Sequence, residues 1–246
     1  MIKVWSMTDI GLVRKENQDA YLVRETTASG HSVCVVCDGM GGSAGGSVAS
    51  AIATETFVAE AEKLLTAEMS PEQIREVSAY TVSLANNAIK QKAQEVEEYG
   101  HMGTTLVSAV SYDGGAVVTN VGDSRAYHIT EEGITRITKD HSLVESMVDR
   151  GDITAEEARH HPNRNLITSA LGPDEKPRCD GYFCELQPGE YLLLCTDGLI
   201  DTVTDQEMLF EVIHGGGVNT CLDRLLAIAN RRGATDNVTA VLMEKL

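Results

Sequence analysis

Apolar runs that alternate with polar positions dominate the chain, and they predict a fold rich in β-strands. Two pairs of runs are separated by Ala28-Ser29-Gly30 and by Asp113-Gly114-Gly115, which favour tight turns and therefore predict two β-hairpins. Further runs of the same character are SRAYHIT, GITRIT, YLLLCT and NVTAVLMEK. Because so many β segments are joined by short turns, the pattern predicts antiparallel sheets rather than a doubly wound parallel sheet.

Two long helical patterns lie between the predicted hairpins, over residues 47–65 and 71–98. The second begins with a proline, which suits the first turn of a helix, and its apolar side chains recur at helical spacing. Two later helices are predicted, one after the capping box Thr204-x-x-Glu207 and one after Val218.

The length and composition indicate one globular domain. The chain has 246 residues, of which 42% are hydrophobic and 23% charged, and this supplies enough apolar material for a full core. No repeat, linker or low-complexity tract divides it. A charged, short-helical segment at about 143–165 is predicted to be an insertion over the core. We therefore expect a single domain over 1–246.

The charge and the length of the apolar runs argue against two classes of partner. The formal net charge is −17, which opposes binding to the phosphate backbone of nucleic acids. No apolar run approaches the roughly 20 residues of a membrane span, and the N-terminal sequence does not resemble a signal peptide. Six cysteines in a chain of this length do not make a disulfide scaffold. We expect a cytoplasmic protein whose cysteines are buried thiols.

The stretch 33–46, VCVVCDGMGGSAGG, admits three interpretations: a Cys-x-x-Cys metal or redox pair, a dinucleotide-binding glycine loop, and a metal-binding aspartate. In a strand, Cys34 and Cys37 point to opposite faces and cannot grip one metal ion. A pyrophosphate would be repelled by Asp38, and no Lys or Arg occurs in residues 25–62 to offset this repulsion. The aspartate interpretation is therefore favoured.

Four aspartates lie where an apolar run meets a loop, and three of them stand beside a glycine: Asp38, Asp123, Asp197 and Asp236. Asp-Gly pairs are common in turns, so one such pair means little. Several carboxylates at the edge of an apolar core are costly unless they are paired or bind a metal. Because all the ligands would be oxygens, the pattern favours Mg²⁺ or Mn²⁺. Two such ions about 3.5–4 Å apart can clamp an in-line phosphoryl displacement.

A phosphoryl substrate also needs a cation for its free oxygens. Arg14, in the motif RKENQD before a predicted strand, can bind phosphate in a bidentate manner. On position alone, a surface arginine is the better interpretation. A cysteine-based phosphatase is excluded because none of the six cysteines is followed by arginine six positions later.

Taken in order, the motifs resemble those of the metal-dependent protein phosphatases, the PPM or protein phosphatase 2C-like family, in its bacterial branch. The matching pieces extend through the whole chain: RKENQD, DGMGG, MGTT, VGDSRAY, KDHS, HHPNRNLITSALG, TDGL and ATDNVTAVL. The resemblance implies an α+β fold, a four-layer α-β-β-α sandwich of two mainly antiparallel sheets flanked by helices. The segment at about 143–165 would be the flap insertion beside the active site.

The resemblance also implies a set of metal ligands. Asp38 would bridge two ions, Asp197 and Asp236 would complete the first site, and the Gly39 carbonyl would bind the second. Asp123, together with Asp197, would form a third and weaker site.

Other residues are implied to act beside these ligands. Arg14 would hold the substrate phosphate, so that Arg14 and Asp38 are the predicted catalytic residues. Asp19 would act through water or outside the direct ligands, as would Gln18 and Asn237. Gln18 departs from the family pattern, which often has an acid there; a neutral amide adds no charge and would lower affinity at the second site.

Two further departures concern the proton donor and the flap. Relatives carry a histidine at the position of Met40 or of Ser43, and neither position offers an imidazole here. The donor of a proton to the leaving group is therefore not identified, and a metal-bound water is one candidate. Ser169 stands where relatives usually have arginine, so that a basic contact in or near the flap is missing.

We therefore predict a Mn²⁺- or Mg²⁺-dependent serine/threonine phosphoprotein phosphatase in which a metal-bridged water attacks phosphorus directly. Two ions are expected, with the third site as an addition. The expected partners are phosphorylated proteins, including a cognate Ser/Thr kinase, and the chain is expected to be a monomer that binds neither nucleic acid nor membrane. Two alternatives stay open: a non-enzymatic pseudophosphatase that binds partners, and a phosphatase for small phosphorylated metabolites.

Overall fold

The computed structural model describes the backbone of residues 1–246 and the side chains of all residues except 42–44. The strands in the described part of the chain are β1 (Ile2–Asp9), β2 (Asp19–Arg24), β3 (Val33–Met40), β4 (Gly103–Thr104), β5 (Leu106–Tyr112), β6 (Gly115–Val121), β7 (Arg125–Thr130), β8 (Gly133–Arg136), β9 (Asp180–Glu185), β10 (Tyr191–Cys195) and β11 (Val238–Lys245). The α-helices there are α1 (Gly42–Leu64), α2 (Pro71–Glu95), α3 (Leu143–Asp149), α4 (Ala155–Arg159), α5 (Asp197–Ile200), α6 (Asp205–Ile213) and α7 (Cys221–Arg231).

The strands form two antiparallel sheets. The five-stranded sheet has the order β1-β11-β10-β7-β8, and the six-stranded sheet has the order β2-β3-β5-β6-β9 with β4 paired to β3. Both predicted hairpins are confirmed, since β2 pairs with β3 and β5 pairs with β6 in antiparallel register. The first and last strands of the chain, β1 and β11, pair along their whole length.

Three apolar layers hold the sandwich together. One lies between the six-stranded sheet and helices α1 and α2, one between the five-stranded sheet and helices α5, α6 and α7, and one between the two sheets. The alternation of side chains along β3 sends Cys37 into the first of these layers and Cys34 into the layer between the sheets. Both are buried free thiols, so the prediction that they cannot jointly bind a metal is confirmed.

The predicted long helices are present with different ends. Helix α1 begins at Gly42 rather than at 47, because its first turn is a run of small residues that carries no apolar periodicity. Helix α2 ends at Glu95 rather than at 98, where Val96 is extended and a short 3₁₀ turn follows. The capping box before α6 is confirmed: the Thr204 hydroxyl accepts from the Glu207 N–H and the Glu207 carboxylate accepts from Thr204.

Besides the two-residue strand β4, two strands were not predicted from the sequence, β1 and β9. Each lies at the edge of its sheet and has few buried positions, so its sequence lacks the apolar runs of the central strands. The burial of an edge strand depends on what packs on it, and local sequence does not specify this.

The predicted insertion lies between β8 and β9 and contains helices α3 and α4. Its base is closed by backbone hydrogen bonds from Leu143 N–H to the Leu166 carbonyl (2.8 Å) and from Thr168 N–H to the His141 carbonyl (2.7 Å). Ser142 caps helix α3 by accepting from the Glu145 N–H. Among the described residues, no helix combines the length and the apolar character that a bilayer span requires.

Candidate active site

The predicted site residues meet at one end of the sandwich, in a cavity of about 650 Å³. Both sheets contribute, through the end of β3, the turn after β6, the start of α5 and the loops that flank β1 and β11. Predicted residues that line the cavity are Arg14, Gln18, Asp38, Gly39, Asp123, Asp197, Asp236 and Asn237. Asp19 is the one predicted residue that does not line it.

The four aspartates reach the cavity from different backbone positions. Asp38 lies inside β3 rather than after it, and Asp197 is the first residue of the short helix α5. Asp123 lies in the turn after β6, and Asp236 lies in the loop before β11. The prediction that all four stand at strand–loop junctions is thus correct for Asp123 and Asp236, and Asp197 lies one residue beyond the junction after β10. It is wrong for Asp38, because the pairing of Gly39 and Met40 with β4 extends strand β3 past this residue.

The carboxylates repel one another in a desolvated setting. Burial, followed by the charge of Asp197, raises the pKa of Asp38 well above its ordinary value. Burial, followed by the charges of Asp236 and Asp201, raises the pKa of Asp197 to about 6. Burial, followed by the charge of Asp197, also raises the pKa of Asp123 well above its ordinary value. Negative charge is therefore concentrated here beyond what the protein itself neutralises.

One oxygen in this group fits a cation in particular. Asp197 Oδ1 is buried and has no hydrogen-bond partner among the described residues. An ionised oxygen in that state is costly unless a positive ion or a proton reaches it. The donor set of carboxylates with a nearby backbone carbonyl suits a hard divalent cation such as Mg²⁺ or Mn²⁺. Among the described residues, however, no three His, Cys, Asp or Glu side chains converge into a ready ligand set.

Two glycines in the motifs are required by close backbone approaches. A Cβ atom on Gly39 would lie 2.2 Å from the Gly46 carbonyl oxygen and 2.4 Å from that of Gln18. A Cβ atom on Gly198, directly after Asp197, would lie 2.0 Å from the Asn237 carbonyl oxygen. Any side chain at either position would push apart the segments that carry Asp38, Asp197 and Asn237.

Asp19 lies behind the cavity, opposite Asp38 in the register of β2 and β3. Its Oδ2 accepts a hydrogen bond from the Thr196 hydroxyl at 2.9 Å. Burial raises the pKa of Asp19 to about 7, against the opposing effect of hydrogen bonds from Thr239 and Thr196. The carboxylate is therefore held by the hydroxyl groups of Thr196, which directly follows β10, and of Thr239 in β11, contacts that the sequence did not indicate.

Arg14 stands at the mouth of the cavity. Its Nη2 lies 2.6 Å from Asp236 Oδ2, and its side chain is 53% exposed. The hydrogen bond with Asp236, followed by the charges of Asp236, Asp38 and Asp197, raises the pKa of the guanidinium. A guanidinium has five N–H donors, so a single contact with Asp236 leaves donors for a phosphate.

Asn237 fixes the loop that carries Arg14. Its amide nitrogen donates to the carbonyls of Ile10 (2.9 Å) and Glu16 (3.0 Å), and its oxygen accepts from the Gln18 N–H (2.8 Å). These contacts bracket the loop on both sides of Arg14. Asn237 lines the cavity beside the proposed metal ligands, and its side chain contacts backbone groups of this loop.

The flap contributes one wall of the cavity. Asn165 and Ile167 line it, and Arg164 Nη2 lies 3.2 Å from Asp201 Oδ2, just after helix α5. Ser169 is buried; its hydroxyl donates to Asp174 (3.0 Å) and accepts from the Arg178 N–H (2.8 Å). It therefore serves as a loop contact and brings no charge to the site.

No histidine lines the cavity in the described part of the chain. Met40 does line it, and the side chain of Ser43 lies outside the described residues. Sequence reasoning missed Thr105, whose hydroxyl accepts from the Asp38 N–H at 2.9 Å and which lines the cavity. The motif MGTT, just before an apolar run, was the signal that could have identified it.

Known proteins resemble this chain over nearly its full length. The family profile described as protein phosphatase 2C matches residues 13–243. The serine/threonine phosphatase Stp of Listeria monocytogenes is 34% identical over 238 residues, which cover 97% of this chain and 94% of the Listeria protein. Protein phosphatase PhpP of Streptococcus pneumoniae is also 34% identical over 238 residues, covering 96% of this chain and 95% of that protein.

A solved structure shows the same fold. The serine/threonine phosphatase Stp1 of Staphylococcus aureus superposes with a TM-score of 0.91 at 36% sequence identity, covering 100% of this chain and 96% of that one. The chain therefore belongs to the protein phosphatase 2C family, whose members are metal-dependent. The predicted family and the predicted sandwich of two antiparallel sheets flanked by helices are confirmed.

Proposed function

We propose that this protein hydrolyses phosphoserine and phosphothreonine monoesters in proteins. The observation that carries the proposal is the cavity in which an arginine faces a group of buried, mutually repelling carboxylates. Such a site combines two needs of phosphoryl transfer, a cation for the phosphate oxygens and oxygen ligands for divalent metal ions. The names of the Listeria and Streptococcus relatives agree with this activity.

The metal ligands are assigned within this proposal. Asp38 would be shared between two Mn²⁺ or Mg²⁺ ions, with Asp197 and Asp236 at one ion and the Gly39 carbonyl at the other. Asp123 would serve a third ion together with Asp197. When bound, such ions lower the pKa of water and stabilise the charge that develops on phosphorus-bound oxygens. The orphaned Asp197 Oδ1 supports a cation at this place.

The side chains of the chain itself orient the substrate. Arg14 would bind two phosphate oxygens through donors that its contact with Asp236 leaves open. Asn237 would hold the Arg14 loop, and the hydroxyl of Thr196 would hold Asp19 behind the ligands. Because no cavity-lining residue in the described chain is a histidine, a water molecule is proposed to protonate the leaving oxygen.

The remaining parts of the proposal concern the molecule as a whole. Residues 1–246 would form one catalytic domain, with the flap at about 143–165 beside the cavity. Phosphorylated proteins would be its substrates, including a cognate Ser/Thr kinase. The protein would be a cytoplasmic monomer that binds neither nucleic acid nor membrane, and its net charge of −17 argues against a nucleic-acid partner.

The test is a hydrolysis assay in which purified protein is stripped of metal and then supplied with Mn²⁺ or Mg²⁺. Phosphothreonine peptides, p-nitrophenyl phosphate and small phosphorylated metabolites are compared in parallel. The proposal predicts metal-dependent release of phosphate, with the peptides preferred over the metabolites. Preference for metabolites would support a metabolite phosphatase, and no hydrolysis of any substrate would support a pseudophosphatase.

A further inference from the structure

His141 is a buried polar residue for which the proposed reaction has no role so far. It belongs to the motif KDHS, just before the flap, and its side chain is fully buried. Its Nδ1 lies 3.2 Å from the Gly122 backbone nitrogen, and its Nε2 lies 3.2 Å from Asp180 Oδ2. The imidazole therefore joins the turn after β6 to the start of β9.

These two contacts fix the tautomer of the ring. A backbone N–H can only donate, so Nδ1 must accept from Gly122 and carry no proton. The proton of the neutral ring is then on Nε2, which donates to the Asp180 carboxylate. Arg178 holds that carboxylate in turn, with its Nη2 2.6 Å from Asp180 Oδ2. Burial lowers the pKa of His141, which agrees with a neutral ring.

The residue held by this ring directly precedes Asp123. His141 binds both polar backbone groups of Gly122, since its own N–H also donates to the Gly122 carbonyl at 2.9 Å. Asn120 Nδ2 donates to the same carbonyl at 3.2 Å. Gly122 has φ +97, and a Cβ atom there would lie 2.6 Å from the Thr105 side chain, so the turn has little freedom to adopt another shape.

We propose that His141 is a positioning residue that holds the Gly122–Asp123 turn so that the Asp123 carboxylate faces Asp197 in the cavity. This inference rests on the proposed function, because it assigns Asp123 to metal binding. His141 also accepts at its carbonyl from the Thr168 N–H, so the base of the flap and the Asp123 turn meet at one residue. Loss of the ring contact to Gly122 would therefore weaken metal binding at Asp123 without removing any ligand.

Two substitutions separate the two contacts of the ring. In His141→Asn the amide lies near the place of Nδ1 and can still accept from Gly122, whereas in His141→Gln it lies near the place of Nε2 and can still reach Asp180. Calorimetric titration with Mn²⁺ alone measures binding without turnover, and hydrolysis of p-nitrophenyl phosphate gives the Mn²⁺ concentration for half-maximal rate. The matched control is His128→Gln, which alters the partly exposed histidine that contacts Glu190.

His141→Gln is expected to weaken the weakest Mn²⁺ binding step about tenfold, while His141→Asn and His128→Gln stay within about threefold of the wild type. In an Asp123→Asn background, His141→Gln should add no further loss, because both changes act on the same site. Equal effects of the Asn and Gln variants, or a full additional loss in the Asp123→Asn background, would overturn the proposal.

His141→Phe provides a second test should His141→Gln fail to fold, because a phenyl ring keeps the shape of the buried side chain and cannot accept from the Gly122 N–H. It is expected to weaken Mn²⁺ binding in the same direction, and unchanged binding would overturn the proposal. A wild-type protein that hydrolyses no substrate in any metal would instead refute the proposed function. A wild-type enzyme that is active, with metal binding insensitive to His141, would refute only this inference.

Discussion

Arg14 Nη2 and Asp236 Oδ2 lie 2.6 Å apart although 222 positions separate the two residues in the chain. The contact joins the loop after β1 to the loop before β11, whose strands pair along their whole length. It places a cation directly beside a proposed metal ligand. A metal ion bound by Asp236 and a substrate phosphate bound by Arg14 would therefore lie next to each other.

Removal of Arg14 should weaken substrate binding and turnover together. Arg14→Ala is expected to lower kcat/KM for a phosphothreonine peptide by about 10- to 100-fold, since a hydrogen bond to a charged group contributes about 1.5–3 kcal/mol. Arg14→Lys should give an intermediate value, because lysine keeps the charge and loses the bidentate geometry. Arg24→Ala, at an exposed arginine paired with Glu62, is the control. An Arg14→Ala enzyme as efficient as this control would contradict the role.

The metal-free protein should lose stability as the pH rises. Burial raises the pKa of Asp197 to about 6 and that of Asp19 to about 7, so the folded chain holds protons that the unfolded chain has already released. These two groups stabilise the folded chain fully below about pH 4, and their contribution is lost as the pH rises to about 7, by about 1.4 kcal/mol for each unit by which a pKa is raised.

Thermal melts of EDTA-treated protein at a series of pH values measure this effect. The melting temperature is expected to fall between pH 5 and pH 7.5, and added Mn²⁺ should remove most of the decline by neutralising the carboxylates. A melting temperature that rises over this range in EDTA would show that the carboxylates are not destabilising.

Asn237 should matter for both stability and activity. Asn237→Ala removes three hydrogen bonds to the loop that carries Arg14 and is expected to cost about 2–3 kcal/mol of unfolding free energy. It should also lower kcat/KM, because the guanidinium is no longer held in place. Urea denaturation and peptide kinetics measure the two effects, with Asn219→Ala, whose amide accepts from Trp5, as the control. Full activity in a destabilised Asn237→Ala protein would show that the hydrogen bonds of Asn237 to this loop are not needed for catalysis.

Asp123→Asn should have a milder effect than loss of a central ligand. Its carboxylate is proposed to serve only the third ion, so we expect turnover to fall about tenfold at low Mn²⁺ and to recover partly at high Mn²⁺. The rate as a function of Mn²⁺ concentration measures this, with Asp113→Asn in the exposed β5–β6 turn as the control. A metal dependence identical to the wild type would argue against a third site.

The sequence could predict most of the site because its residues stand at the edges of strongly patterned elements. Asp123, Asp197 and Asp236 follow or precede apolar runs, and a sheet necessarily brings such edges together. The family resemblance supplied the roles, and the ordered motifs identified the family. The hairpins were predictable for the same reason, since their turn residues have local conformational preferences.

The remaining features depend on contacts between distant parts of the chain. The pair of Arg14 with Asp236 and the contact of Thr196 with Asp19 exist only after the two sheets have stacked. The sequence predicted that β3 ends at Asp38, whereas the strand continues to Met40 because it pairs with the short strand β4. The two residues of β4 give almost no sequence signal. The edge strands β1 and β9 were missed because their burial is set by neighbours and not by their own pattern.

The most direct test of the account is the Mn²⁺-dependent hydrolysis of a phosphothreonine peptide by the wild type, Asp38→Asn and Asp197→Asn. Each substitution keeps the size of the side chain and removes the charge that the proposed ions require. The account predicts that both variants fold, melt no lower than the wild type in EDTA, and lose about three orders of magnitude in kcat/KM. A folded Asp38→Asn protein that retains most of the wild-type turnover would contradict it.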